Sequence, residues 1–176
     1  RGTHACELIL EDCHVPQENI VGKEGDGFRL ALRVFDRSRP FDAILAVGIS
    51  TGALQYAIDY AKERKQFGRS ISEFQGIQWI LADMAIQVEA ARQLVYKAAV
   101  LIDQGSPEVT QFSSMANCFA TDTGVKVTND AMQILGGYGY IKDYPLEQKM
   151  RDARLLQIVE GTNQIQRVGG ARSLLG

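Results

Sequence analysis

A regular apolar repeat between residues 74 and 102 constrains the fold of this chain most strongly. Apolar side chains recur there at alternating intervals of three and four residues, at Phe74, Ile77, Leu81, Met84, Val88, Ala91, Val95, Ala98 and Ile102. This spacing places them all on one face of a helix and repeats every seven residues. Such a face is typical of helices that pack nearly antiparallel in a bundle. We therefore predict a core helix here and interpret its apolar face as core rather than as a ligand site.

A second long helix is expected before this repeat. Ser38–Pro40 predicts its start, because proline is favoured in the first turn of a helix, and Phe67–Gly68 predicts its end. The apolar pattern within it runs through Ile44, Val47, Leu54, Ala57 and Tyr60.

Three further helices are expected after the repeat. Gln104–Pro107 predicts a turn, and Gly136–Gly137 predicts the end of the helix that follows it. The apolar positions of that helix are Phe112, Met115, Phe119, Val125, Val127, Ala131 and Ile134. Pro145 predicts the start of a short helix that runs to the region of Val159, and a last helix is expected after Thr162.

The first residues have a different character. Cys6–Leu10 has strand-like content, and Val15–Pro16 interrupts it. The sequence thus predicts an all-α fold, an up-and-down four-helix-bundle-like domain with a short β remnant at the N-terminus. We expect the division to fall between residues 1–22 and residues 23–176.

Composition limits the class of protein. A chain of 176 residues that is 45% hydrophobic can bury one sizeable core. Its formal net charge of −2 gives no reason to expect nucleic acid or an anionic membrane as partner. The three cysteines are odd in number and lack metal-ligand spacing, so we expect a reduced interior compartment and no metal site.

One carboxylate stands out near the C-terminal end. Glu160 follows Leu155, Leu156, Ile158 and Val159, and Gly161 comes directly after it. Desolvation raises the pKa of a carboxyl group, which suits a base that must take a proton from carbon. On local chemistry alone, a solvated glutamate at a helix-loop-helix corner is the favoured interpretation, since most glutamates are surface residues.

Five segments, in order, resemble the flavin-dependent acyl-CoA dehydrogenases. They are Phe35–Pro40 (FDRSRP), Glu63–Gly68 (ERKQFG), Gln133–Gly139 (QILGGYG), Met150–Ala153 (MRDA) and Glu160–Arg167 (EGTNQIQR). The resemblance covers essentially the whole chain. It implies that residues 1–22 are the tail end of the middle β-domain of this family. Residues 23–176 would be its C-terminal helical domain, so we expect the chain to be a fragment.

The resemblance implies a reaction and a base. Members oxidise an acyl-CoA to a trans-2-enoyl-CoA: a base removes the α-proton while hydride passes from Cβ to N5 of FAD. Glu160 would be the base, its backbone N–H would polarise the thioester carbonyl, and Gly161 would lie against the thioester. Isovaleryl-type relatives place the base on the earlier helix, at the position of Ser38. Serine cannot serve as that base, which favours Glu160.

The same resemblance implies binding residues. Phe35, Asp36 and Arg39 would contact the CoA part of the substrate. Ten residues would bind FAD: Arg64, Gln66, Phe67, Gln75, Gln133, Ile134, Gly136, Gly137, Thr162 and Gln164. Thr162 and Gln164 lie in the last segment beside Glu160, and the other eight would contact the FAD of a neighbouring subunit. Arg64 would pair with the pyrophosphate, a task suited to its planar fork of donors.

The resemblance also implies partners and alternatives. The expected partners are the acyl-CoA substrate, an electron-transfer flavoprotein and three further copies of the chain in a homotetramer, a dimer of dimers. The expected location is the bacterial cytoplasm or the mitochondrial matrix. An acyl-CoA oxidase with the same base and a non-catalytic helical assembly module are the alternatives. Alone, the fragment is expected to bind flavin weakly or not at all and to have no turnover.

Overall fold

A computed structural model describes residues 4 and 6–175 of the chain, and most of them are helical. The helices are α1 (Gly27–Glu63), α2 (Gln75–Asp103), α3 (Val109–Leu135), the single turn α4 (Gly137–Tyr140), α5 (Leu146–Leu156) and α6 (Asn163–Leu175). Within that part of the chain, β structure is limited to the hairpin of β1 (Lys65–Gln66) and β2 (Arg69–Ser70). The all-α bundle predicted from the sequence is confirmed.

Helix α3 is the centre of the bundle and packs against α1, α2, α5 and α6. Its buried face is rich in small residues such as Ala116, Ala120 and Gly124, which allows the neighbouring helices to come close. At Gly124, an added Cβ atom would lie 3.5 Å from the Cβ of Ala46 on α1 and 3.6 Å from that of Ala153 on α5. The two helices thus contact α3 at the same level.

The apolar repeat of α2 is confirmed over most of its length. Five of its predicted positions are buried: Met84, Val88, Ala91, Val95 and Ala98. At the last turn the buried position is Leu101 instead of the predicted Ile102. Ile102 is half-buried, so the core face includes both positions at this end of the helix.

The predicted start of α1 is wrong. The helix begins at Gly27, and Pro40 lies inside it. Proline has no N–H, so Pro40 leaves the carbonyl of Asp36 without its usual helical donor. The hydroxyl of Ser113 on α3 donates to that carbonyl at 2.7 Å. A tertiary contact therefore replaces the missing helical bond, and the helix continues through the proline.

The predicted end of α1 is also wrong. The helix ends at Glu63, and Phe67–Gly68 forms the tip of the β1–β2 hairpin. Both tip residues have positive φ, 53° and 79°, as a two-residue hairpin turn requires. The hydroxyl of Ser70 donates to the carbonyl of Ala61 at 2.7 Å, which ties the hairpin to the last turn of α1.

Two predicted core positions of α3 lie at the surface. Met115 and Phe119 are each 41% exposed, whereas Asn117 and Thr121 are buried. Buried threonines are tolerated because their hydroxyls bond back to the helix. Thr121 donates to the carbonyl of Asn117 at 2.7 Å, and Thr128 donates to that of Gly124 at the same distance.

The fourth predicted helix is shorter than expected. It ends at Leu156, three residues before Val159, and leaves a loop that runs to α6 at Asn163. The expected strand at Cys6–Leu10 is absent from the described residues, which have no regular structure there. A strand needs a neighbour for its backbone hydrogen bonds, and the strands of the described residues pair only with each other in the β1–β2 hairpin. The assignment of residues 1–22 to a β-domain stays a prediction.

Helix α1 is long and apolar enough to cross a membrane by length and composition alone. Its alanines at positions 43, 46, 53, 57 and 61 are nevertheless fully buried in the bundle. The contacts of α1 with α2 and α3 account for that burial. Its apolar face is the face of a core helix.

We predict that Ser113→Ala destabilises the fold by about 1–2 kcal/mol, because it leaves the carbonyl of Asp36 without a donor. In a Pro40→Ala background residue 40 regains an N–H, so the same substitution should cost much less. Chemical denaturation of the four proteins of this double-mutant cycle tests the coupling. An equal cost in both backgrounds would contradict the role assigned to Ser113.

Candidate active site

Glu160 lies in the loop between α5 and α6 and is half-buried. Its φ is 56°, and the φ of Gly161 is 93°, so two successive residues lie in the left-handed region. Positive φ is uncommon for a residue with a side chain and is maintained only where the surroundings fix it. The loop turns the chain sharply and points the carboxylate toward α1.

Ser38 on α1 faces this carboxylate. Its hydroxyl donates to Oε2 of Glu160 at 2.6 Å, across 122 positions of sequence. By the resemblance described above, Ser38 would occupy the position of the base in isovaleryl-type relatives. The position of Ser38 and the position of Glu160 are thus direct neighbours in this fold. In this chain the hydroxyl of Ser38 orients the carboxylate of Glu160.

Asp36 and Arg39, predicted to contact CoA, lie beside the same loop. Arg39 is 7% exposed, and its Nε donates to the carbonyl of Glu160 at 3.4 Å. Its guanidinium also contacts Asp36 at 2.8 Å, and Thr110 on α3 donates to the other oxygen of Asp36 at 2.8 Å. These contacts give both residues an internal role at the loop. Phe35 lies at the surface, and the CoA contacts of all three stay predictions.

Two residues of α6 hold the loop from the other side. Asn163 is buried, and its side-chain amide donates to Thr121 at 2.9 Å and to Asp122 at 2.7 Å. Gln166 is also buried, and its amide donates to the carbonyls of Glu160 and Gly161. Gln166 was not among the site residues predicted from the sequence. The sequence signal for this residue was its spacing. Gln166 follows Asn163 by three residues in the first turn of α6, so the two lie on the same face of the helix.

Asp42 is a second carboxylate that the sequence analysis missed. It lies one helical turn after Ser38, and its Oδ2 is buried without a hydrogen-bond partner among the described residues. Burial raises the pKa of Asp42 above its ordinary value, and the negative charge of Glu160 raises it further. The charge of Glu160 thus reaches Asp42 and disfavours its ionised form.

A separate cleft of about 510 Å³ contains six of the ten residues predicted to bind FAD. These six are Arg64, Gln66, Gln133, Ile134, Gly136 and Gly137. They come from the hairpin after α1 and from the end of α3, which are far apart in sequence. Gly136 ends α3 with a φ of 60°, which leaves its backbone open to the cleft.

The other four lie elsewhere. Phe67 is 92% exposed at the hairpin tip, and Gln75 is the first residue of α2. Thr162 and Gln164 flank the start of α6 beside Glu160, where the hydroxyl of Thr162 accepts from the backbone N–H of Ile165 at 3.4 Å. The cofactor role of all ten residues stays a prediction.

Two aromatic residues that the sequence did not predict, Tyr60 and Tyr138, line the cleft, and Tyr144 packs beside Tyr138. The ring centroids of Tyr60 and Tyr138 are 6.4 Å apart, and those of Tyr138 and Tyr144 are 5.3 Å apart. The guanidinium carbon of Arg64 lies 5.7 Å from the centroid of Tyr138. The cleft thus combines a cation, exposed glycine backbone and ring edges. An anionic group with an attached aromatic base matches that combination.

Comparison with known proteins identifies the family. The family model for the acyl-CoA dehydrogenase C-terminal domain matches residues 25–175. A probable acyl-CoA dehydrogenase of Mycobacterium tuberculosis is 51% identical over 175 residues, which are 99% of this chain and 45% of the relative. Butyryl-CoA dehydrogenase from Megasphaera elsdenii superimposes with a TM-score of 0.92 at 44% identity, over 96% of this chain and 44% of that one.

A third similar chain comes from a structure of the electron transferring flavoprotein of Acidaminococcus fermentans. It has a TM-score of 0.92 and 54% identity, over 95% of this chain and 44% of that one. The chain therefore spans somewhat less than half the length of the proteins that it matches. Both the sequence motifs and the fold lead to one assignment: this chain belongs to the acyl-CoA dehydrogenase family.

Proposed function

We propose that this chain is the catalytic helical part of an FAD-dependent acyl-CoA dehydrogenase, with Glu160 as the base that removes the α-proton. The observation that carries the proposal is the state of Glu160. It is a half-buried carboxylate on a left-handed loop, oriented by the hydroxyl of Ser38 at 2.6 Å. A surface glutamate at a simple helix corner would need no such support.

The backbone around the base supports the same chemistry. An α-proton is too weakly acidic for a carboxylate alone, so the thioester carbonyl must accept hydrogen bonds as negative charge develops on it. The backbone N–H of Glu160 would be one donor. Arg39 of α1 and Gln166 of α6 donate to the carbonyl of Glu160, which restrains the peptide unit after this residue. The unit before it, which carries the N–H, is related to that unit by the left-handed φ of Glu160.

The cleft residues fit the cofactor that the family implies. Arg64 is held at the base of the hairpin, where its carbonyl accepts from the N–H of Ile71 at 2.8 Å. Its guanidinium would bind the pyrophosphate of FAD, and the aromatic wall would contact the adenine. Bound FAD would accept hydride from the substrate Cβ. The remaining cofactor contacts would come from other domains or from another subunit.

The acceptor and the assembly are part of the proposal. The relative and the solved enzyme compared above are named dehydrogenases, which favours dehydrogenation over the oxidase alternative. An electron-transfer flavoprotein would be the electron acceptor, and a homotetramer the functional assembly. The relatives compared here are bacterial, which favours the bacterial cytoplasm over the mitochondrial matrix.

We predict that Glu160→Gln abolishes flavin reduction by acyl-CoA without preventing substrate binding. An amide cannot take the α-proton, and loss of a general base lowers rates by about 100-fold or more. The measurement is anaerobic bleaching of the flavin in the full-length protein with a series of acyl-CoAs. Glu89→Gln, at an exposed position on α2, is the matched control. Bleaching of both variants at the wild-type rate would place the base elsewhere.

We predict that Arg64→Ala weakens FAD binding to the full-length protein by about 10- to 100-fold, because one charge-assisted contact to the pyrophosphate is lost. Titration of the apoprotein with FAD measures the effect. Arg69→Ala is the control, since Arg69 lies on the other strand of the same hairpin and packs over the ring of Phe74 at 4.3 Å. Equal FAD affinity in the two variants would remove Arg64 from the cofactor site.

We predict that Asp42→Asn gains stability relative to wild type as the pH rises from acid to neutral. The pKa of Asp42 is raised in the folded state, so ionisation of this group costs folding free energy above that raised value. The cost is absent well below the ordinary pKa of 3.8, where the group is protonated in both states. Denaturation of both proteins across this pH range measures the difference.

Asp59→Asn, at an exposed position on the same helix, is the control for the loss of one carboxylate. A stability difference between Asp42→Asn and wild type that does not change with pH would contradict the strained environment assigned to Asp42.

A further inference from the structure

The side-chain amide of Gln166 contacts both residues of the left-handed turn at the base. Its Nε2 donates to the carbonyl of Glu160 at 3.1 Å and to the carbonyl of Gly161 at 2.9 Å. Gln166 is 2% exposed, so these bonds are shielded from water. One amide group therefore spans two successive peptide units and fixes their relative orientation.

The turn needs such a restraint. The φ of Glu160 is 56°, a conformation that a residue with a side chain adopts only where its surroundings determine it. The other donor to the Glu160 carbonyl is Nε of Arg39, at the longer distance of 3.4 Å. Among the residues that the structure describes, Gln166 alone also donates to the carbonyl of Gly161. It is thus the main restraint on the turn from the α6 side.

Anchoring of α6 itself depends on other residues. Asn163 donates to Thr121 and Asp122 on α3, and Arg167 forms an ion pair with Asp122 at 2.6 Å. The backbone N–H of Asn163 also donates to the carbonyl of Gln157 at 3.1 Å. Helix α6 should therefore stay in place when the amide of Gln166 is removed.

The oxygen of the Gln166 amide lowers the stability of the fold. Its Oε1 is buried without a hydrogen-bond partner among the described residues, as are both polar atoms of Asn117. Exchanging the oxygen and nitrogen of Gln166 would place an oxygen against two carbonyl oxygens, so the orientation is determined by the contacts. A buried polar atom without a partner is destabilising. In the stability of the fold, the cost of this oxygen and the two bonds donated by the nitrogen oppose each other.

We propose that Gln166 is a positioning residue for Glu160, which holds the 160–161 turn so that the carboxylate and the backbone N–H of Glu160 face the substrate together. The proposal rests on the proposed function, because it takes Glu160 to be the base. Gln166 acts only through the loop and has no contact with the reacting atoms.

The test is Gln166→Met in the full-length flavoprotein, since methionine has the same length but no donor. We expect the rate of flavin reduction at saturating acyl-CoA to fall by about 10- to 100-fold, as small displacements of reacting groups do. The substrate dissociation constant and the content of bound FAD should stay close to those of wild type. The thermal unfolding temperature should change little, because the loss of two donated bonds and the removal of the unpartnered Oε1 oppose each other.

A second variant and a control complete the design. Gln166→Asn keeps the amide but is one methylene too short to reach both carbonyls, so its reduction rate should also fall. Gln93→Met, at an exposed position on α2 where the amide contacts only Glu89, should behave as wild type. A lower unfolding temperature for Gln166→Met together with normal reduction by Gln166→Asn would show a structural role and overturn the proposal.

The Glu160→Gln variant separates the two proposals. If it fails to reduce flavin while Gln166→Met reduces flavin at the wild-type rate, the role of Gln166 is refuted and the base assignment remains. If Glu160→Gln reduces flavin normally, the proposed function fails, and the role of Gln166 fails with it.

Discussion

The contact between α1 and α3 at Pro40 is the constraint on which the site depends. The proline removes a helical donor from Asp36, and Ser113 of α3 supplies a replacement at 2.7 Å. This bond restrains the rotation of α1 against α3 at the carbonyl of Asp36, within two turns of the residues that face the loop. The bond thereby positions three residues of α1, namely Ser38, Arg39 and Asp42. A break or kink in α1 at the proline would move all three away from Glu160.

Three elements then converge on one strained turn. Helix α1 contributes Ser38 to the carboxylate of Glu160 and Arg39 to its carbonyl, while α6 contributes Gln166. Helix α3 anchors both helices through Ser113, Thr121 and Asp122. The turn is therefore determined by the bundle rather than by its own sequence. Rigid helices that support a strained loop give a catalytic group a fixed direction, which is what proton transfer from carbon requires.

The sequence predicts features that depend on local periodicity and misses those that depend on distant contacts. The core face of α2 follows from spacing alone, because apolar side chains at intervals of three and four residues all lie on one face of a helix. The start of α1 was missed, since the partner that makes Pro40 tolerable lies in another helix. Met115 and Phe119 were misplaced because α3 buries small polar residues instead. The motif located Glu160, but neither its left-handed backbone nor its contact with Gln166 is visible in the local sequence.

The most direct test of the account is a crystal structure of the full-length protein with FAD and a non-reacting acyl-CoA analogue. The account predicts a carboxylate oxygen of Glu160 at roughly 3–3.5 Å from the substrate Cα, the separation expected for reacting atoms. Its backbone N–H should donate to the thioester carbonyl. A substrate whose Cα lies against another carboxylate, such as that of Asp42, with Glu160 out of reach would contradict the central claim.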